Sequence, residues 1–145
     1  MARPGSEARH TRRHWRHQDV LGLGPGAHSF SGGDDGLATR RANAPDWCAY
    51  TEALNDGRAP PHTQEHPPRA ALADEYVARR LRTARGLSLK TLAARYDRDL
   101  RSERGDALDR LRAEGYLEQA NGSGSAVRPT RAGRLRLDAL TDALL

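Results

Sequence analysis

Cysteine is nearly absent: Cys48 is the only one in 145 residues. A single thiol excludes an intrachain disulfide framework. It also excludes a zinc or iron–sulfur centre built from this chain's own thiolates, because such centres need three or four. Lysine is as scarce, with Lys90 the only one among 24 basic residues. No apolar run approaches the ~18–20 residues that a membrane span requires. No signal-peptide pattern follows Met1, so a soluble cytoplasmic protein is the expectation. The arginine excess, with much alanine, glycine and aspartate, matches a GC-rich coding bias. That bias competes with nucleic-acid binding as the origin of the +5 net charge. A true binding surface would gather its charge on one face.

The first 19 residues are polar, rich in arginine and histidine, and carry no apolar periodicity. Val20–Leu23 is strand-like in composition but too short to stand alone. Ser31–Gly36 reads as a turn. Pro45 and Asp46 start a helix in which Trp47, Tyr50, Thr51 and Leu54 follow at helical spacing, and Gly57 stops it. Pro60, Pro61, Pro67 and Pro68 bound a loop. A long helix is predicted over 69–85, with Ala73, Val77, Leu81 and Ala84 in one stripe, Leu72 and Tyr76 beside it, and Gly86 as its stop. Ser88 caps a short helix from Leu89 to Tyr96. A third helix runs from about Arg104 to Ala113 and ends before Gly115. Tyr116–Ala120 and Ser125–Arg128 flank Asn121-Gly122-Ser123-Gly124, a hairpin signal. Thr130 caps a last helix with Leu135, Leu137, Leu140, Leu144 and Leu145 at its apolar positions. Residues 69–145 thus have the order of a winged helix-turn-helix unit.

The stretch VLGLGPGAHSF, Val20 to Phe30, contains Gly22-x-Gly24-x-x-Ala27, which matches a dinucleotide fingerprint. That motif works only where a helix follows at once, so that helix amides face the pyrophosphate. Pro25 and the glycines after Ser29 argue against such a helix. The plainer reading is a sharp bend or a close backbone approach. His10 and His14 stand at i, i+4, but without a His-Glu-x-x-His motif they read as part of a solvated basic segment. Cys48 reads as a buried or half-buried small hydrophobe. No Ser/His/Asp set has the spacing of a triad, so no catalytic residue and no metal ligand is assigned. The third helix interleaves Arg104, Arg110 and Arg112 with Glu103, Asp106, Asp109 and Glu114. These acids would face phosphates unfavourably, so nucleic acid is not the expected partner. A small winged-helix nucleic-acid-binding protein is the alternative.

Ala2 to Phe30 resembles a segment of the radical SAM proteins related to oxygen-independent coproporphyrinogen III oxidase, in their HemW branch. Ala2, Arg3, Pro4, Gly5, Arg9, His10 and Trp15 match the pattern, as does the run Leu21, Gly22, Gly24, Pro25, Gly26, Ala27, His28, Ser29. Ala8, Thr11, His14 and Val20 depart from it. Arg40, Asn43 and Tyr50 are counterparts of later family positions. Leu81–Leu87, Leu111–Glu118 and Pro129–Leu140 resemble the family's C-terminal domain. The resemblance implies an α+β fold. Residues 1–44 would be the end of a partial TIM-like barrel, 45–68 a helix and Pro-rich linker, and 69–145 a winged-helix-like domain. It implies heme or porphyrin as the family's cargo or substrate, and a [4Fe–4S] cluster with S-adenosylmethionine in the full-length family. The cluster motif lies in an N-terminal barrel, so this chain looks like the C-terminal third: a truncated gene, a mis-called start or a surviving fragment. On its own it is expected to bind no cofactor and to be catalytically incompetent. The resemblance places Gly24, Gly26, Ala27, His28 and Ser29 at the rim of the cofactor and substrate pocket.

Overall fold

The computed structural model describes residues 8, 13, 15–32, 38–120 and 124–145. The matches at Ala2–Gly5, Arg9 and His10, the His10/His14 pair, most of the Ser31–Gly36 turn and the tip of the hairpin at 121–123 lie outside them. The chain divides into two compact units, 1–69 and 70–145. Among the described residues it is a mixed α/β structure of six helices and two three-stranded antiparallel sheets.

In the first unit, β1 (His28–Ser31), β2 (Thr39–Asn43) and β3 (His62–Glu65) pair in that order. The register sets Ser29 opposite Arg41 and Arg41 opposite Gln64. The proline-bounded loop therefore contains a strand that the sequence reading lacked. Its four residues, HTQE, are all exposed, so no apolar alternation marked it. Val20–Leu23 forms no strand. Only Val20 bridges to Phe30, while Leu21 and Leu23 are 77% and 79% exposed. Helix α1 (Trp47–Asn55) starts where predicted, because the Asp46 carboxylate accepts from the Ala49 N–H at 3.0 Å. It buries Ala53, whereas Trp47 is 66% exposed. Cys48 is exposed as well. That corrects its reading as a buried hydrophobe: five residues from Ala53, it sits on a different face of the helix.

The second unit runs α2 (Arg69–Leu81), β4 (Leu87–Ser88), α3 (Leu89–Tyr96), α4 (Leu100–Ala113), β5 (Leu117–Gln119), β6 (Ala126–Pro129), α5 (Arg131–Arg134) and α6 (Leu137–Leu144). Its core gathers Leu72, Tyr76, Val77, Leu81, Leu87, Leu92, Leu100, Leu108, Val127, Leu140 and Leu144. Each fully buried leucine contributes roughly 1.5–3 kcal/mol of transfer free energy. Helix α2 ends four residues before the predicted Arg85. The Thr83 hydroxyl donates to the Arg80 carbonyl at 2.8 Å, and such a side-chain bond competes with helix continuation. Gly86 then turns the chain in the left-handed region, φ +71, so that Leu87 lands opposite Val127. Leu87–Ser88 becomes β4, one of the two edge strands of the order β4-β6-β5.

Ser88 caps α3 as expected, accepting from the Thr91 N–H at 3.1 Å. Burial of Tyr96, 5.1 Å from the Tyr76 ring between centroids, pushes its hydroxyl pKa up to about 12. Helix α4 begins at Leu100, one turn ahead of the predicted start. Asp99 caps that turn by accepting from Arg101 and Ser102. The predicted start, Arg104, is instead a kink with φ −133 and ψ 28. The single predicted C-terminal helix is two helices. Thr130 caps the first, and Arg136 (φ −126, ψ 31) breaks it from the second.

Candidate functional site: a clamped glycine turn

Gly22 approaches the backbone of His28 so closely that a Cβ there would lie 2.4 Å from the His28 carbonyl oxygen. Two positions on, the chain turns through Gly24 (φ +105) and Gly26 (φ +67), conformations that glycine adopts without strain. The turn closes with the Ala27 N–H donating to the Gly24 carbonyl at 3.3 Å. His28 and Ser29 then open β1.

The surrounding side chains hold this turn from several sides. The Gly24 N–H donates to the Tyr50 hydroxyl at 2.9 Å, and Asn43 Nδ2 donates to the Gly24 carbonyl at 3.0 Å. The Gly22 N–H donates to Ser29 Oγ at 3.0 Å, and the Gly26 N–H to the Ala44 carbonyl at 3.2 Å. Val20 and Phe30 exchange two backbone hydrogen bonds of 2.8 Å. Each glycine amide of the turn is therefore spent inside the protein. A phosphate cradle needs such amides free and aimed at the ligand. With β1, a strand, following the turn, the dinucleotide reading falls on both counts.

Gly24, Asn43 and Tyr50, distant in sequence, meet at one point. Arg40 does not join them; its guanidinium pairs with Glu65 across β2 and β3 at 3.4 Å. Two supporting residues escaped the sequence reading. Asp19 accepts from the Gly32 N–H at 2.7 Å, and buried His17 (φ +47) lies 5.4 Å from the Phe30 ring. Neither carries a spacing signal, because both act through the local fold-back of 17–32. With its amides consumed, the turn offers a ligand two things. One is a surface free of Cβ atoms at Gly24, and the other is the exposed His28 imidazole. Among the described residues no group of three or more His, Cys, Asp or Glu stands together as a metal site. With Cys48 alone, the chain's residues do not fit an iron–sulfur cluster.

The charges on α4 are largely paired within the second unit. Arg101 donates twice to Asp109, at 2.7 and 3.0 Å, and Arg112 lies 3.6 Å from the same carboxylate. The Arg101 hydrogen bond holds the Asp109 carboxyl below its ordinary range. Arg98 bridges Asp74 on α2 and Glu103 on α4. Burial alone would lower its pKa, but these two carboxylates raise it overall. Pairing of this kind removes cations from a phosphate-facing role, so the nucleic-acid reading is not favoured.

Residues 68–136 match the family model of the HemN C-terminal domain. Over 143 residues, 99% of its length, the chain is 33% identical to the heme chaperone HemW of Mycobacterium tuberculosis, in strains CDC 1551/Oshkosh and ATCC 25618/H37Rv. It spans 33% of the length of those relatives. Its fold is similar to that of Escherichia coli coproporphyrinogen III oxidase (HemN), described as a radical SAM enzyme. The TM-score is 0.57 at 18% identity, covering 88% of this chain and 28% of that one. No helix among the described residues is long and apolar enough to cross a membrane. The chain thus carries a HemN C-terminal domain over residues 68–136, and over its length it is similar in sequence to HemW and in fold to HemN.

Proposed function

We propose that this chain serves heme or porphyrin handling as part of a HemW-type heme chaperone in the cytoplasm. In this reading residues 1–44 are the end of a partial barrel, 45–68 a helix and Pro-rich connection, and 69–145 a winged-helix-like packing domain. The order helix, strand, helix, helix, hairpin in the second unit supports the last assignment. The observation that carries the functional reading is the double hold on Gly24 by Asn43 and Tyr50. The side chains that fix the turn are among those that carry the family resemblance, so the turn's shape is what they maintain. The rim comprises Gly24, Gly26, Ala27, His28 and Ser29. Gly24 and Gly26 let a flat cargo approach the backbone, Ser29 locks Gly22, and His28 contacts the cargo. The cluster and S-adenosylmethionine of the full-length family are not held by this chain, and no radical step is assigned to it.

A hemin titration of the purified chain, followed by its absorbance, tests this reading. Saturable binding is expected, weakened about tenfold, or about 1.4 kcal/mol, in His28→Ala. Binding that never saturates, or that is unchanged in His28→Ala, would exclude this turn as the cargo site.

A further inference from the structure

The second unit carries a basic surface that the heme-handling reading does not use. Between Glu118 and Asp138 the sequence has no acidic residue and four arginines. One of these, Arg128, is paired with Glu118 at 2.7 Å. The other three, Arg131, Arg134 and Arg136, are exposed around Leu135, which is itself 86% exposed. Arg131, Arg134 and Leu135 stand at i, i+3 and i+4, on one face of the α5 turn. Gly133 fixes the opposite face inward, because a Cβ there would lie 2.1 Å from the Tyr116 carbonyl oxygen. Thr130 locks the turn by accepting from the Gly133 N–H at 3.1 Å and donating to the Gly115 carbonyl at 2.7 Å. The Arg136 guanidinium lies over the Tyr116 ring, 5.2 Å from its centroid.

An exposed apolar side chain flanked by three cations offers apolar contact together with charge complementary to an anionic partner. It suits a surface that is soft, apolar beneath and anionic above. We propose that this turn is a docking surface for an anionic lipid bilayer, with Leu135 entering the headgroup boundary while the three arginines meet lipid phosphates. Attachment of this kind is peripheral and salt-sensitive, because basic residues act on a charged membrane only within about a Debye length.

Co-sedimentation of the whole chain with vesicles of equal parts phosphatidylcholine and phosphatidylglycerol tests the proposal. Binding is expected to these vesicles, and neither to phosphatidylcholine alone nor at high salt. The double variant Arg131→Gln/Arg134→Gln should weaken it about thirtyfold, and Leu135→Ser about tenfold. All three side chains are exposed, so circular dichroism should show an unchanged fold, and the hemin titration should not move. Equal binding to neutral vesicles, or undiminished binding by the double variant, would overturn the proposal. So would a double variant that keeps its vesicle binding but loses affinity for a single-stranded oligonucleotide.

Discussion

Gly86→Ala is expected to destabilise the second unit by about 3 kcal/mol. Two costs act together. At φ +71 an alanine sits in the left-handed region, which costs roughly 1–2 kcal/mol. Its Cβ would also lie 2.2 Å from the Val127 carbonyl oxygen and 2.7 Å from Arg128 Cβ. Neighbours forced apart in a packed region cost about 1–3 kcal/mol. The displaced backbone is the partner strand of β4, so Leu87, buried opposite Val127, loses its seat at the same time. Urea denaturation of the whole chain, with amide exchange at Leu87 and Leu108 as local probes, measures the effect. A change within about 0.5 kcal/mol, the range of an ordinary surface substitution, would show that the contact is not made.

Gly133→Ala is expected to cost nearly as much, about 2–3 kcal/mol, by overlap alone. Its backbone is helical, so no left-handed strain applies. The new Cβ would lie 2.1 Å from the Tyr116 carbonyl oxygen and 3.2 Å from Leu140 Cδ1. That carbonyl accepts the Thr130 N–H at 3.0 Å, and the shift therefore pulls on the base of the β5–β6 hairpin as well as on α5. Gly105 is the matched control. It too is helical, but nothing lies within 4 Å of a Cβ there, and Gly105→Ala should be neutral or stabilising by about 0.5–1 kcal/mol. The same denaturation series separates the two positions. Equal effects at Gly105 and Gly133 would mean that helix propensity, and not contact, sets the cost.

Much of the second unit was legible because local chemistry and tertiary structure agree there. Ser88, Thr130 and the buried positions of α2 announce themselves by capping and by 3.6-residue spacing. Failures fell where a long-range contact overrode a local pattern. Ala84 fits the apolar stripe of α2, yet the chain has already left the helix to bring Leu87 to Val127. Leu135 fits the last helix's apolar pattern, yet the break at Arg136 turns it outward. Gly133 gives no sequence signal at all, since its role is to lack a Cβ beside the carbonyl of Tyr116, seventeen residues earlier in the chain. In the first unit the glycines pointed to a turn, and the family resemblance pointed to Asn43 and Tyr50. That both side chains converge on Gly24 required the sheet register and the start of α1.

The role of Gly22–Ala27 as a turn whose amides are held from within, and not a phosphate-cradling loop, is tested most directly at the Gly24 amide. Hydrogen exchange should find it protected in the whole chain. Tyr50→Phe removes the acceptor and should reduce that protection about fivefold, the equivalent of a typical net hydrogen bond of ~1 kcal/mol. Val20 and Phe30, bonded to each other, should keep theirs, and added nucleotide should change nothing. A Gly24 amide that exchanges as freely as in an unfolded peptide, or that becomes protected only when nucleotide is added, would contradict it.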